Sequence, residues 1–417
     1  MIFGSKEPEA KRYDESIVHP EIKRLEEELK KYVIDQDRAV KQFVRIHESY
    51  LADLGRPGRP MQNLLFVGPT GSGKTLVVEK FCEITNVSLI KVDCAEFQHD
   101  HETAKLIGAP PGYVGGEVKP KINKEAIEAK WKEPNAPQYS VVLFDEIEKA
   151  NVSFHQMLLG ILDKGTLTSG KNVQIDMTKC VVVMTSNLGS REVKKILKNS
   201  GLGFILNQSK GDSDESIYRH SKAVVEAFFS PEFFNRLDRM VVFRPLSPEA
   251  IRKIVDVELK YVQDRLLQAN KFIGLQTSEN AKAFLIKEGT SPEYGARELK
   301  RAIERFLESK LRRGIASNQM ETKDIIEIDH EELADDLSLT ILKGALILPK
   351  AKPAEPVEVN QPRAAKVEPE DPNARHPFPS IKYQDYCGRC GFRWYDKHLC
   401  FDLLDAPQLR NPKSRRR

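Results

Sequence analysis

The chain has little cysteine for its length. Six cysteines among 417 residues are too few for the disulfide framework of a small secreted domain. No apolar run approaches the roughly 18 residues that span a bilayer, and Met1 to Pro20 holds no signal-peptide core. The expected compartment is therefore the cytoplasm. An excess of charge of either sign is also missing: 65 Lys plus Arg face 61 Asp plus Glu, a net of +4, which argues against a chain that lives by coating nucleic acid or anionic membrane. No internal repeat is visible. What remains is a chain 40% hydrophobic and 30% charged, the composition of a globular protein with roughly two to three domains.

Apolar runs and amphipathic stretches alternate from about Pro20 to Ala345, whereas Pro349 to Pro379 carries eight of the 24 prolines. Residues 1–19 read as an N-terminal extension, 346–380 as a Pro-rich linker that cannot offset its ordering entropy, 381–405 as a Cys/His unit, and 406–417 as a basic tail. Five short runs, Asn63–Val67, Leu89–Asp93, Val141–Asp145, Cys180–Thr185 and Met240–Phe243, are mostly apolar. Runs of that kind between helical stretches predict a five-stranded parallel sheet covered on both faces, with ligands at the carboxyl ends of the strands. After Pro245 the pattern turns helical: Ser247-Pro248-Glu249 is a capping signal, Ile251 to Leu266 recurs at helical spacing, and another helix is expected over Ala296–Leu311. A short strand, Asp324–Ile328, is expected to end this smaller domain. The boundaries that follow are 20–245 for a large α/β domain and 246–345 for a small, mostly helical one.

Directly after the first strand stands Gly68-Pro69-Thr70-Gly71-Ser72-Gly73-Lys74-Thr75, which fits G-x-x-x-x-G-K-[ST] and runs into a helix. In such a loop glycines let backbone N–H groups close around phosphates, the helix N-terminus adds positive potential, Lys74 reaches the outer phosphates, and the Thr75 hydroxyl ligates Mg²⁺. The competing reading is a glycine turn with no ligand. The third strand ends in Asp145-Glu146, where Asp145 suits the metal and Glu146 can polarise an attacking water; a merely charged strand end is the alternative. The fourth ends in Thr185-Ser186-Asn187, which brings Asn187 to the same edge, although Asn also ends strands as a turn residue.

The order and wording of these motifs resemble the AAA+ superfamily, and within it the Clp unfoldases, nearest to the second ATPase module of ClpB and ClpC. The carrying stretches are Val33–Val40 (VIDQDRAV), the phosphate loop, Gly108–Glu117 (GAPPGYVGGE), Val141–Ala150 (VVLFDEIEKA), Val181–Ser190 (VVVMTSNLGS), Ser230–Phe243 (SPEFFNRLDRMVVF) and Ser291–Glu304 (SPEYGARELKRAIE). The resemblance implies a P-loop three-layer sandwich followed by a small helical lid domain, ATP and Mg²⁺ as ligands, and hydrolysis coupled to protein unfolding. It implies that Val33 and Ile34 line the adenine pocket, that Asn187 is the sensor 1 residue, that Arg236 is an arginine finger for the neighbouring subunit's ATP, and that Arg297 is sensor 2. Arg suits both tasks because its planar, permanently charged fork grips phosphate oxygens. One departure is Asp35, where the family usually has Gly.

A finger that acts in trans requires subunits packed head to tail, and the resemblance implies a homo-hexameric ring. Gly112-Tyr113-Val114-Gly115 matches the family's pore loop, in which an aromatic on a glycine-flanked loop grips threaded polypeptide; read alone it is a surface loop. After Gly116, Val118-Lys119-Pro120-Lys121 leaves the family's acidic, glycine-rich pattern. Leu202-Gly203-Phe204 stands where protease-linked members dock on the ClpP peptidase, and a helix-end glycine with its hydrophobic contact also fits. The family's N-domain, first module and middle insert have no counterpart in this sequence, so the expectation is a single-ring ATPase. At the far end Cys387, Cys390, His398 and Cys400 form C-x₂-C-x₇-H-x-C, a candidate tetrahedral Zn²⁺ site, with a redox C-x-x-C or incidental cysteines as alternatives. Cys82, Cys94 and Cys180 sit in apolar runs and are expected in the core. The competing functions are an AAA+ motor or loader acting on nucleic acid through the C-terminal Cys/basic region, and an ATP-operated scaffold. The Tyr113-Val114 pair argues against the first, and retention of Glu146, Asn187 and Arg236 against the second.

Overall fold

The computed structural model describes residue 14 and residues 17–55, 57–108, 120–170, 172–190, 210–269, 271–290, 296–332 and 334–345. Five strands, β1 (Gln62–Val67), β2 (Ser88–Asp93), β3 (Ser140–Asp145), β6 (Cys180–Ser186) and β7 (Arg239–Val242), form one sheet in the order β2-β3-β6-β1-β7. Between β3 and β6 lies a hairpin of β4 (Thr166–Thr168) and β5 (Gln174–Asp176) that the sequence reading passes over. Every pairing in the large sheet is parallel. Side chains alternate across it. Leu64 and Phe66 join a core with Val141, Leu143, Val181 and Val183, under helices α1 (Pro20–Tyr32), α2 (Asp37–Leu51) and α3 (Lys74–Thr85). Leu65 and Val67 join the opposite core with Val142, Phe144, Val182 and Met184, packed on Phe154, Leu158 and Ile161 of the helix Val152–Lys164. Two covered faces are why the central strands β1, β3 and β6 read as unbroken apolar runs, whereas β2 at the edge alternates.

Cys82, Cys94 and Cys180 are free and buried. Burial pushes the Cys82 and Cys180 thiols up to about 12, so they pack as small apolar groups and carry no reactive thiolate.

The smaller part begins at the helix Pro248–Gln268, whose first turn is closed by Ser247 Oγ accepting from the Ala250 N–H at 3.1 Å. Its core unites Val255, Leu259, Phe284, Leu285, Leu299, Leu307, Leu311, Ile326 and Ile328. Two features differ from the sequence expectation. The helix starting at Ala296 continues beyond Leu311 to Ala316, widening through one π turn at Glu304–Glu308. The strand expected at Asp324–Ile328 is β9 (Ile325–Asp329), and it is the centre of a three-stranded sheet, parallel to β8 (Gly274–Thr277) and antiparallel to β10 (Ser338–Leu342). β8 is only half-buried and β10 alternates exposed with half-buried residues, so neither shows the apolar run that betrays the large sheet.

Candidate nucleotide site

β1 delivers the phosphate loop to the carboxyl edge of the sheet. Gly68 is required there by packing: a Cβ on it would lie 2.6 Å from the Phe243 carbonyl oxygen. Gly71 and Gly73 take left-handed φ of 74° and 97°, which turns the chain into α3 with free N–H groups at its first turn. Lys74 is only 7% exposed. Its ammonium donates to the carbonyls of Gly68 at 2.8 Å and Pro69 at 2.9 Å and to Asn187 Oδ1 at 2.9 Å. Burial pushes this lysine down to about 8, against the opposing pull of the Glu148 and Asp145 carboxylates.

The acidic side is built from β3 and β6, paired in register. Thr75 Oγ1 lies 3.2 and 3.3 Å from the two Asp145 oxygens, and Thr185 Oγ1 donates to the same carboxylate. Glu146 sits just past the strand in a left-handed conformation, φ 56°. Such a conformation costs a non-glycine residue about 1 kcal/mol, and it is held by the Glu146 N–H donating to Thr185 Oγ1 at 3.0 Å. The Glu146 carboxylate accepts from Asn187 Nδ2 at 3.0 Å and pairs with Lys149. Burial alone would push that carboxyl up, but Lys149, the Asn187 amide and the Arg297 guanidinium hold it below the usual range. Asn187 thus bridges the loop lysine and the acid, while its own N–H donates to Glu148 Oε1 at 3.0 Å.

A cavity of about 300 Å³ is lined by Thr70, Gly71, Gly73, Lys74, Thr75, Asp145, Glu146, Thr185, Asn187 and Arg297 among others. Arg297 arrives from the small domain, where the Ala296 N–H reaches the Gly71 carbonyl at 3.4 Å. Beside it a smaller apolar cleft holds Tyr32, Val33, Ile34, Ser72, Leu76, Ile254 and Tyr261. Asp35 there has φ 61°, a left-handed position that explains why glycine suits it and that aspartate tolerates. Tyr32 and Tyr261 stack at 5.8 Å, and Lys80 Nζ lies 4.8 and 4.9 Å from their ring centres, a link between the two domains.

Arg236 lies elsewhere. It is 43% exposed, with Nε 3.0 Å from Asp163 Oδ1, and its carbonyl accepts from Asn63 Nδ2 at 3.1 Å. The residues from Asn63 to Gly68, at about 3.3 Å each, set its backbone roughly 16 Å from the phosphate loop. The pore loop Gly112–Gly115, the tripeptide Leu202–Phe204 and the Cys387, Cys390, His398 and Cys400 cluster lie outside the described residues. The sequence reading misses Thr185, Lys91 (3.8 Å from Asp145) and Lys149 as neighbours of the acids. Thr185 carries a signal in hindsight, a hydroxyl at the end of the apolar run Val181–Met184.

Fold and site define a P-loop α/β nucleotide-binding protein with a second domain leaning on its ligand edge. The profile of the AAA domain (Cdc48 subfamily) matches residues 59–240, and that of the C-terminal, D2-small domain, of ClpB protein matches residues 246–328. The chain is 40% identical over 300 residues to chaperone protein ClpB of Meiothermus ruber, covering 71% of this chain and 33% of that one. It is 37% identical over 326 residues to chaperone protein ClpB4, mitochondrial, of Arabidopsis thaliana, covering 76% and 32%. Among solved structures, a closed-state reconstruction of Hsp104 with ATPγS and FITC casein matches with TM-score 0.61 and 32% identity, over 77% of this chain and 52% of that one. The chain belongs to the Clp family of AAA+ ATPases and matches its second module. It spans about a third of the length of these ClpB relatives. Among the described residues no helix is long and apolar enough to cross a membrane.

Proposed function

We propose that the chain is the motor of an ATP-driven, ring-forming protein unfoldase, with a large ATPase domain over 20–245 and a small domain over 246–345. The observation that carries this reading is the bridge from Lys74 through Asn187 to Glu146 (2.9 and 3.0 Å), set in a cavity that the small domain closes with Arg297. The phosphate-loop N–H groups and Lys74 hold the phosphates. Val33 and Ile34 receive the base in the apolar cleft. Thr75 and Asp145 offer hard oxygen donors side by side, which fit Mg²⁺ better than a softer metal. Bound there, Mg²⁺ would neutralise charge on the phosphates. Glu146, kept ionised by its neighbours, takes the proton from an attacking water that Asn187 orients. Arg297 ties phosphate state to the angle of the small domain. Arg236, too far from its own loop, serves the adjoining subunit's ATP, which requires a ring. The relative solved with FITC casein supports polypeptide as the cargo, gripped by Tyr113 and Val114.

The test is to trap the cargo. Glu146→Gln should assemble and bind ATP, lose about 100-fold or more in turnover, and retain fluorescent casein on a sizing column only with ATP. A ring that retains single-stranded nucleic acid instead, or a variant that turns over normally, overturns this assignment.

A further inference from the structure

Asn63, the second residue of β1, is 1% exposed. Its N–H donates to Asp238 Oδ2 at 2.8 Å and its carbonyl accepts from the Asp238 N–H at 2.9 Å. Its side-chain amide donates twice more, to the Leu162 carbonyl at 3.0 Å and the Arg236 carbonyl at 3.1 Å. Asp163, next to Leu162, accepts Arg236 Nε at 3.0 Å. One buried amide therefore fixes both the peptide from which the Arg236 side chain springs and the helix end carrying its ion-pair partner. Two carbonyl acceptors settle its orientation, since a flipped amide would set oxygen against oxygen. Its Oδ1 has no hydrogen-bond partner, an expense that an apolar side chain, such as the neighbouring Leu64, would avoid.

We propose that Asn63 is a positioning residue for the arginine finger: it anchors the Arg236 backbone to the strand that carries the phosphate loop while leaving the guanidinium free to exchange Asp163 for a neighbour's phosphate. The inference rests on the reading of Arg236 as a finger given in trans. The physical division is clear. The peptide at Arg236 is held by a part-buried hydrogen bond from a side chain that is itself 1% exposed, whereas the Arg236–Asp163 pair is about 40% exposed on both partners, in the class worth at most about 1 kcal/mol. A finger needs a fixed root and a weakly held tip, because misplacement of a positioned group by an ångström forfeits most of its effect. Asp238 completes the root from the other side of the peptide.

Mixed rings test this with a readout that a purely structural role does not move. Wild-type subunits are assembled with an excess of Glu146→Gln subunits, which supply fingers but scarcely hydrolyse. The Glu146→Gln partner then carries Arg236→Ala, Asn63→Ala or the isosteric Asn63→Asp, and co-assembly is verified by sedimentation of labelled subunits. Turnover per wild-type subunit should fall roughly tenfold with Asn63→Ala, the effect of about one hydrogen bond's worth of positioning. It should fall at least as far with Asn63→Asp, approaching the Arg236→Ala value. Turnover equal to that with plain Glu146→Gln partners, in rings where Arg236→Ala does lower it, refutes the role of Asn63. If Arg236→Ala itself leaves turnover unchanged, the finger assignment is wrong and the proposal goes with it.

Discussion

Asn187 offers the sharpest perturbation of the site because its two ends meet opposite charges. Oδ1 receives the Lys74 ammonium at 2.9 Å and Nδ2 serves the Glu146 carboxylate at 3.0 Å. Asn187→Ala removes both contacts, and a hydrogen bond to a charged group is worth about 1.5–3 kcal/mol. Expressed in the transition state, each contact so lost is roughly a 10- to 150-fold loss in kcat. Asn187→Asp keeps the shape but sets a second carboxylate against Glu146. At about 3 Å and an effective dielectric of about 20 the repulsion is about 5 kcal/mol, of which Lys74 on the other side offsets a part. The aspartate also competes with the phosphates for Lys74, so it should be the slower variant. The pH profile separates the two effects. In the wild type the Glu146 carboxyl is held below its ordinary 4.5 by Lys149, Asn187 and Arg297 against the contrary effect of burial. Its acid limb should therefore lie below the neutral range. With a like charge beside it the carboxyl takes up a proton at higher pH, so the limb for Asn187→Asp moves upward towards neutrality. The assay is steady-state phosphate release at saturating ATP between about pH 5.5 and 9. An Asn187→Asp enzyme as fast as Asn187→Ala, with an unmoved limb, would refute the inference that this amide steers Glu146.

Lys74 gives a stability prediction of definite sign. The unfolded lysine holds its proton to 10.5, whereas burial brings the folded one down to about 8. The unfolded chain binds more protons between those values, so stability rises with pH through that window and falls as pH drops towards 8. The full difference is about 3 kcal/mol. Urea midpoints of the nucleotide-free protein should show wild type gaining about 2 kcal/mol on Lys74→Met from about pH 7.5 to 9.5; parallel curves would contradict the burial argument. In the small domain, a Cβ on Gly289 would lie 2.7 Å from Leu299 Cα and 3.1 Å from Ala302 Cβ, whereas on Gly314 it would meet the end of the flexible Met320 side chain. Gly289→Ala should cost about 1–3 kcal/mol of small-domain stability and Gly314→Ala less, and calorimetry finding the reverse order would disprove the packing account.

How much could be read in the sequence follows from how each element is stabilised. All five strands of the large sheet were legible to within a residue at each end, the central ones because burial on both faces leaves continuous apolar runs such as Val181–Met184. β8 and β10 were not, because a half-covered sheet on a small domain asks only for Leu275 or Leu339 to pack partly inward. The π turn at Glu304–Glu308 leaves no trace in a heptad-like count. Phe306, Leu307 and Leu311 still reach the core, at the spacing an ordinary apolar helix stripe has, so the pattern gives no sign of the wider turn.

The site divides along the same line. Lys74, Thr75, Asp145 and Glu146 announce themselves because short motifs place them at the start of α3 and the end of β3, where the chain itself supplies the geometry. Residues that act across the fold give no such sign. Asn63 reads as an unremarkable polar start to a strand, yet it gathers Leu162, Arg236 and Asp238, 99, 173 and 175 positions away. Tyr32, Lys80 and Tyr261 meet at the domain junction from three separate helices. A nucleotide pocket is therefore a local property of the sequence, whereas the placing of the Arg236 backbone is set by long-range pairings. That difference explains why motifs predict where a nucleotide sits and leave hidden the contacts that join distant segments of the chain.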